Sequence, residues 1–345
     1  MLQAFTLLRA TPPCRNSIQF ITFIYAYTFK LPVMHNDRRD FIKTSSILAA
    51  TGMISPGSLL ASTPHAKKIR VLVWDETGDA QKEAYENYLG KCIADQLSTH
   101  AAFSVRSATL NDPDQGISSN TLNNTDVLIW WGHIRHGEIS SAKGQEIVQR
   151  IAAGNLSYIG LHSAHWSVPF IEAMNEVTRR RIFADSSLKK EDVTFIAPEV
   201  RKSLPKREDR LAPYTDIRKF PDGSKKLEVH LPNCCFPDVR NDGKPSTIRV
   251  QKKEHPIVKG LSPVLHLQQT EMYNEPFHVP EPDQLILEEC WEGGEWFRSG
   301  MLWKLGKGNV FYFRPGHETY PIFKEKWVMQ LLTNAVQWLG HSKTV

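Results

Sequence analysis

Phe311-Tyr-Phe-Arg-Pro-Gly-His317-Glu318-Thr-Tyr-Pro321, entered through Gly308-Asn-Val, reads as a buried strand that breaks at Pro315-Gly316. The break delivers His317 and Glu318 to the strand's carboxyl end, the edge at which open α/β sheets bind ligands. The same arrangement recurs along the chain. The apolar run Lys67–Asp75 is followed by Glu76, Thr125–Trp131 by His133 and His136, and Leu156–Leu161 by His162 and His165. Between and after these runs the apolar spacing is helical: residues 79–97, Ser140–Ala153 closed by Gly154, Trp166–Val177, and Lys324–Leu339 with Trp327, Leu331, Ala335 and Trp338 on one face. Alternating strands and helices with short links predict an α/β fold, a flavodoxin-like, doubly wound, mostly parallel sheet with helices on both faces.

The remainder adds an antiparallel or inserted region. Phe103–Ser107 reads as a short strand, Asn111–Asn124 as loop, and residues 178–228, charged and weakly periodic, as an insertion or lid. Leu227–Leu231 and Thr247–Val250 read as antiparallel strands. Pro280–Trp291 and Phe297–Lys304 add two more, with Gly293-Gly294 as a hairpin turn. Neither a P-loop nor a dinucleotide fingerprint is present, so no nucleotide cofactor is expected.

Asp37-Arg38-Arg39-Asp40-Phe41-Ile42-Lys43 and the short apolar run Ile47 to Leu60 read as a twin-arginine export signal. Residues 1–66 form that signal region, and residues 1–33 are expected to lie upstream of the true start at Met34. The mature domain is then 67–345, exported to the periplasm by the Tat machinery and touching membrane only during export. The signal region holds six Lys/Arg and two Asp/Glu, leaving 36 basic against 35 acidic residues. A balance near zero calls for no nucleic-acid partner. Cys92, Cys234, Cys235 and Cys290 show no CxxC spacing and no disulfide framework, and they read as structural thiols.

Two His-x-x-His pairs, His133/His136 and His162/His165, each follow a strand. With Asp75-Glu76 and His317-Glu318, a parallel sheet would collect four groups on one rim. Three explanations compete. Neutral imidazoles with a carboxylate suit a divalent ion, zinc first, on His133, His136, His162 and His317. Imidazoles titrating near neutrality suit metal-free acid/base work. The third is that they hydrogen-bond loop backbone. Glu271-Met-Tyr273-Asn-Glu275-Pro-Phe277 interleaves acid and aromatic residues as a carbohydrate pocket does, and Trp291–Gly300 has the same character.

Together Trp130-Trp131-Gly-His133-x-x-His136, Leu161-His162-Ser163-Ala-His165-x-Ser167, Glu254-His-Pro-Ile257, Glu271–Phe277, Phe297-Arg298-Ser-Gly300 and Phe311–Pro321 resemble the trehalose-utilisation (ThuA-like) family over most of residues 68–340. The resemblance implies the fold of class I glutamine amidotransferases. Where those enzymes carry a nucleophilic Cys at a strand-to-helix elbow, Gly160-Leu-His162-Ser163-Ala carries His, so Cys-dependent glutamine hydrolysis is not expected. Carbohydrate catabolism is implied, on disaccharides, glycosides or their 3-keto derivatives, by a metal-assisted lyase, isomerase or hydrolase. His162, His317, Glu318 and, as a substitute nucleophile, Ser163 are the candidate catalytic residues. Trp131, His165, Glu271, Tyr273, Glu275, Arg298 and Arg314 are the candidate substrate-binding ones. The alternative is a sugar-binding accessory protein without turnover. The sugar, the reaction and the oligomeric state stay open, a homo-oligomer included.

Overall fold

A computed structural model describes residues 67–184, 188–196, 206, 213–231 and 235–341. The export-signal reading falls on residues 1–66 and lies outside them.

The sheet is built from runs too apolar to have a wet face. β1 (Ile69–Asp75), β3 (Val127–Trp131), β4 (Ser157–Leu161) and β14 (Gly308–Phe313) are buried at nearly every position, as parallel strands covered on both sides must be. With β2 (Phe103–Thr109) they form a parallel core in the order β2-β1-β3-β4-β14. Alternate side chains feed two cores. Leu72, Trp74, Leu128, Trp130, Tyr158 and Tyr312 point to one, and Val71, Val73, Ile129, Trp131, Ile159, Phe311 and Phe313 to the other. Helices α3 (Ser141–Ala152) and α4 (Val168–Ile182) cover the first face. Helices α1 (Leu89–Ser98) and α5 (Lys326–His341) cover the second. Ser140 and Ser167 cap α3 and α4 by accepting from the amides of Lys143 and Phe170. Gly154, at φ +80°, closes α3 as expected.

On the far side of β14 the sheet turns antiparallel. β13 (Trp296–Leu305), β12 (Gln284–Cys290), β9 (Ser246–Val250) and β10 (Val264–Leu267) complete nine strands. Gly293-Gly294 lies in the β12–β13 turn, where the Trp291 amide donates to the Glu295 carbonyl. β14 is therefore the boundary strand, parallel to β4 and antiparallel to β13.

Several expectations need correction. The helical spacing over 79–97 is interrupted: Tyr88 sits at φ +65° and α1 begins only at Leu89. The buried Asp75 carboxylate accepts from the Gly90 amide at 2.6 Å and from the Gln81 side chain at 2.7 Å, which fixes the helix start at the end of β1. The loop 111–124 contains a one-turn helix α2 (Ser119–Asn123), capped by Ser118. The segments 227–231 and 247–250 are strands with antiparallel neighbours, as expected, but they belong to different sheets. β7 (Lys225–His230) joins β5 (Val193–Ile196) and β6 (Tyr214–Lys219) in a separate three-stranded sheet over Leu227, Val229 and Leu231. β9 joins the main sheet. A two-stranded ladder pairs β8 (Asp238–Arg240) with β11 (Met272–Asn274). Cys92 and Cys235 lie outside any disulfide, whereas Cys290 is disulfide-bonded rather than a thiol. No helix among the described residues is long and apolar enough to cross a membrane.

Candidate active site

Three strand ends converge on one rim. After β3, the Glu76 carboxylate accepts from the amides of Ile134 and Arg135 at 2.8 and 3.0 Å, folding the loop that carries His133 onto the end of β1. Gly132 is required there: a Cβ would lie 2.6 Å from His136 Cε1 and 2.9 Å from Glu76 Oε2. After β4, His162 adopts φ +48°. A non-glycine residue held in that region costs of order 1–3 kcal/mol and marks a sharp strand-to-helix turn. After β14, Gly316 at φ +138° brings the chain over His162, 3.3 Å separating the Cβ it lacks from His162 Cβ.

His133, His162 and His317 therefore meet, with ring centroids 5.3 to 6.2 Å apart. In each, Nδ1 faces an anchoring oxygen. His133 Nδ1 lies 2.6 Å from Glu318 Oε1, His162 Nδ1 3.0 Å from the Arg314 carbonyl, and His317 Nδ1 2.9 Å from Thr319 Oγ1, with the Thr319 amide farther off at 3.3 Å. A carbonyl and a carboxylate can only accept, so in the first two rings Nδ1 carries the proton and the neutral ring offers its Nε2 lone pair.

For His162 this has a sharp consequence. Its Nε2 lies 3.1 Å from Glu271 Oε2, with both side chains buried. Two lone pairs at that separation repel unless a cation stands between them, either a proton or a metal ion. Glu318 Oε2, also buried, has no hydrogen-bond partner among the described residues. Ligand atoms of His162, Glu271 and His317 lie within 4.8 Å of one another, as do those of His133, His317 and Glu318. Two imidazoles with one carboxylate is a donor set used by catalytic zinc, and backbone or carboxylate partners on the opposite nitrogen are what ligating histidines have.

The electrostatics separate the rings. Burial lowers the His133 pKa, but its hydrogen bond to Glu318 and the charges of Glu318, Glu271 and Glu76 outweigh it, so the net shift is upward. Burial works to raise Glu318, yet the bond to His133 and the neighbouring imidazoles bring it down to about 2. His317 falls to about 4 through burial and the proximity of His162. Burial also opposes ionisation of Glu271, but its bond to His162 and the surrounding imidazoles lower it overall. The rim therefore holds one imidazole that protonates readily, one that stays neutral, and two carboxylates that stay charged.

Other candidates lie elsewhere. His136 does not reach the ligand cluster: its Nε2 lies 3.1 Å from the Ser163 carbonyl, its ring meets Trp166 edge-on, and burial drives its pKa down to about 3. His165 is enclosed by Phe236, Tyr273, Phe277 and Tyr312, and burial holds it well below the usual imidazole range. Ser163 Oγ faces the Tyr273 hydroxyl at 3.5 Å rather than an imidazole, so the base a serine nucleophile needs is not against it. The Tyr273 ring packs on His162 at 5.2 Å, forming the floor beneath it.

Trp131 is core, donating from Nε1 to the Gly316 carbonyl at 2.9 Å. Glu275 and Arg298 pair with each other at 2.8 Å and brace their own turn through the Phe277 amide and carbonyl. Arg314 is fully buried, paired with Glu289 and bonded through Nη1 to Thr270 Oγ1 and the Glu271 carbonyl. It positions rather than binds: its carbonyl holds His162 and its guanidinium holds the backbone of Glu271. Asn241, 3.2 Å from His317 Nε2, escaped the sequence reading because it sits in a polar turn, Asn241-Asp-Gly, that no periodicity or motif marks.

A parallel α/β core whose strand ends carry a buried His/Glu cluster defines a flavodoxin-like protein with a candidate site at the rim of its sheet. Residues 70–339 match the ThuA family, described as trehalose utilisation, and the chain belongs to that family. No curated protein sequence matches it. Among solved structures it is similar to a protein described as ThuA-like from Parabacteroides merdae, at 14% identity and TM-score 0.50, over 80% of this chain and 91% of that one. A second described as ThuA-like, from Bacteroides uniformis, matches at 13% and 0.47 over 81% and 94%. A protein described as a GMP synthase component from Thermoplasma acidophilum matches at 10% and 0.35 over 79% and 94%. The Parabacteroides structure supports the fold.

Proposed function

We propose that this chain is a metal-assisted enzyme of carbohydrate catabolism that moves a proton next to the carbonyl of a 3-keto-glycoside. The observation that carries the reading is the approach of the buried His162 Nε2 to Glu271 Oε2 at 3.1 Å, a pair that calls for a cation shared between them. His162, Glu271 and His317 would hold a divalent ion, zinc first, and the ion would supply Lewis-acid polarisation of the sugar carbonyl. The carbonyl makes the adjacent C2–H acidic. His133 is the base: Glu318 takes its Nδ1 proton in a hydrogen bond, leaving Nε2 to accept the proton from C2 while the carboxylate balances the imidazolium. The electron pair left on C2 enters the carbonyl as an enolate. Its return expels the glycosidic oxygen from C1, and that oxygen takes the proton carried by the His133 imidazolium, which returns the base to its neutral form. Reprotonation instead of expulsion gives isomerisation. Glycosidase-style carboxylate pairs are not needed for either outcome.

The family match and the convergence of three histidines with two carboxylates support this reading. The test is turnover of 3-keto-trehalose by zinc-loaded protein, with His133→Ala and His162→Ala beside it. Consumption by the wild type and loss in both variants is the expected result. Unchanged substrate together with retained sugar binding would favour the accessory, non-catalytic reading. We also propose twin-arginine export to the periplasm, on the strength of Asp37–Lys43 and the apolar run behind it. Cell fractionation with Arg38→Lys/Arg39→Lys tests it, and equal export of the variant would contradict it.

A further inference from the structure

We infer that Asn241 and Tyr320 form a hydroxyl-binding pair that recognises the polyol face of the substrate at the mouth of this site. The inference rests on the proposal that the substrate is a sugar. The Tyr320 hydroxyl donates to Asn241 Oδ1 at 2.7 Å, and the Asn241 Nδ2 group lies 3.2 Å from His317 Nε2. Among the described residues one N–H and one lone pair of the Asn241 amide remain uncommitted, and the residue is exposed. A free donor and a free acceptor on one planar group match the paired donor–acceptor character of adjacent sugar hydroxyls. The Tyr320 ring lies against the His317 ring, 5.3 Å between centroids, and supplies an apolar wall for the C–H face of a pyranose.

The pair is held in place rather than loosely displayed. Gly243, at φ +66°, passes so close that a Cβ there would lie 3.0 Å from the Tyr320 hydroxyl oxygen. Arg240, one residue before Asn241, forms ion pairs with Glu295 and Asp242. The preceding strand β8 is laddered to β11, the strand that begins directly after Glu271. The recognition loop and a candidate ligand thus share one framework, so a hydroxyl bound at Asn241 is held at a fixed offset from the reacting centre.

The test is calorimetric titration of the full chain with trehalose and with 3-keto-trehalose, for wild type, Asn241→Ala, Tyr320→Phe and the double variant. The expected result is about tenfold weaker binding in each single variant, the loss of about one net hydrogen bond to the bound sugar. The double variant should be little worse than either, because the two groups act through one hydrogen bond. The melting temperature should stay close to wild type, since Asn241 is exposed and Tyr320→Phe keeps the ring that packs against His317. Wild-type affinity in Asn241→Ala, with sugar binding intact in the parent, would overturn this inference alone. Sugar binding that depends on Asn241 in a protein that never turns over a keto-sugar would uphold it while removing the catalytic reading. No sugar binding by the parent chain would overturn both.

Discussion

Arg314 touches both halves of the candidate metal site at once: its carbonyl faces His162 Nδ1 at 3.0 Å while its guanidinium donates to the Glu271 carbonyl at 2.7 Å. Its charge is met by Glu289, and neither side chain has any exposure. Burial raises the Glu289 pKa, and only the Arg314 charge and hydrogen bonds from Arg314 and Ser246 keep the carboxylate available. Glu289→Gln should therefore cost about 3–5 kcal/mol of stability, the penalty for stranding a buried charge. It should also weaken zinc binding by about 10-fold or more, because the partners that orient ligands are disturbed. Urea unfolding and a competitive chelator titration measure the two. Full stability in the variant would contradict the account of the pair.

His136 and His133 lie three residues apart, yet the structure separates their roles. His136→Phe should keep the metal and lose stability, since His136 fills a buried position against Trp166. Elemental analysis of the folded variant decides it, and metal loss would restore His136 to the ligand set.

The His133–Glu318 pair predicts a stability profile with two edges. Glu318 is depressed to about 2 from 4.5, so its contribution is present above pH 4.5 and is lost as pH falls toward 2. His133 is raised from 6.5, so its contribution is complete below pH 6.5 and is lost as pH rises through the elevated value. Metal-free wild type should therefore exceed Glu318→Gln in stability most clearly between pH 4.5 and 6.5. Denaturant midpoints across the pH range check this, and a constant difference would refute it.

At the start of α1, a Cβ on Gly90 would lie 2.6 Å from Asp75 Cβ. The contact is with a short, buried side chain that already holds two amides and Gln81, so it cannot retreat. Gly90→Ala should destabilise the fold by about 1–3 kcal/mol, the usual cost of overpacking. A thermal melt equal to wild type would show that Asp75 is freer than described.

The parallel core could be read from the chain because its strands announce themselves: Val127–Trp131 and Phe311–Phe313 are apolar without alternation, and each ends in a Gly or Pro break before a histidine. That pattern also brought His133, His162, His317 and Glu318 to one rim. What could not be read is partnership. Leu227–Val229 and Thr247–Val250 look alike as short β segments, and only tertiary packing sends one to the small sheet and the other to β12. Arg298 and Glu275, or Arg314 alone, look in sequence like groups waiting for a ligand, but each has been taken by a protein partner. Asn241 had the reverse fate, a turn residue by composition that the fold carries to His317.

The most direct test of the central claim is elemental analysis of untagged protein, wild type beside the His162→Ala/Glu271→Ala double variant, after incubation with zinc and removal of excess. A stoichiometric divalent ion is expected in the wild type and none in the folded variant. A wild type that takes up no ion, or a variant that keeps it, would contradict the claim that His162 and Glu271 face each other across a metal site.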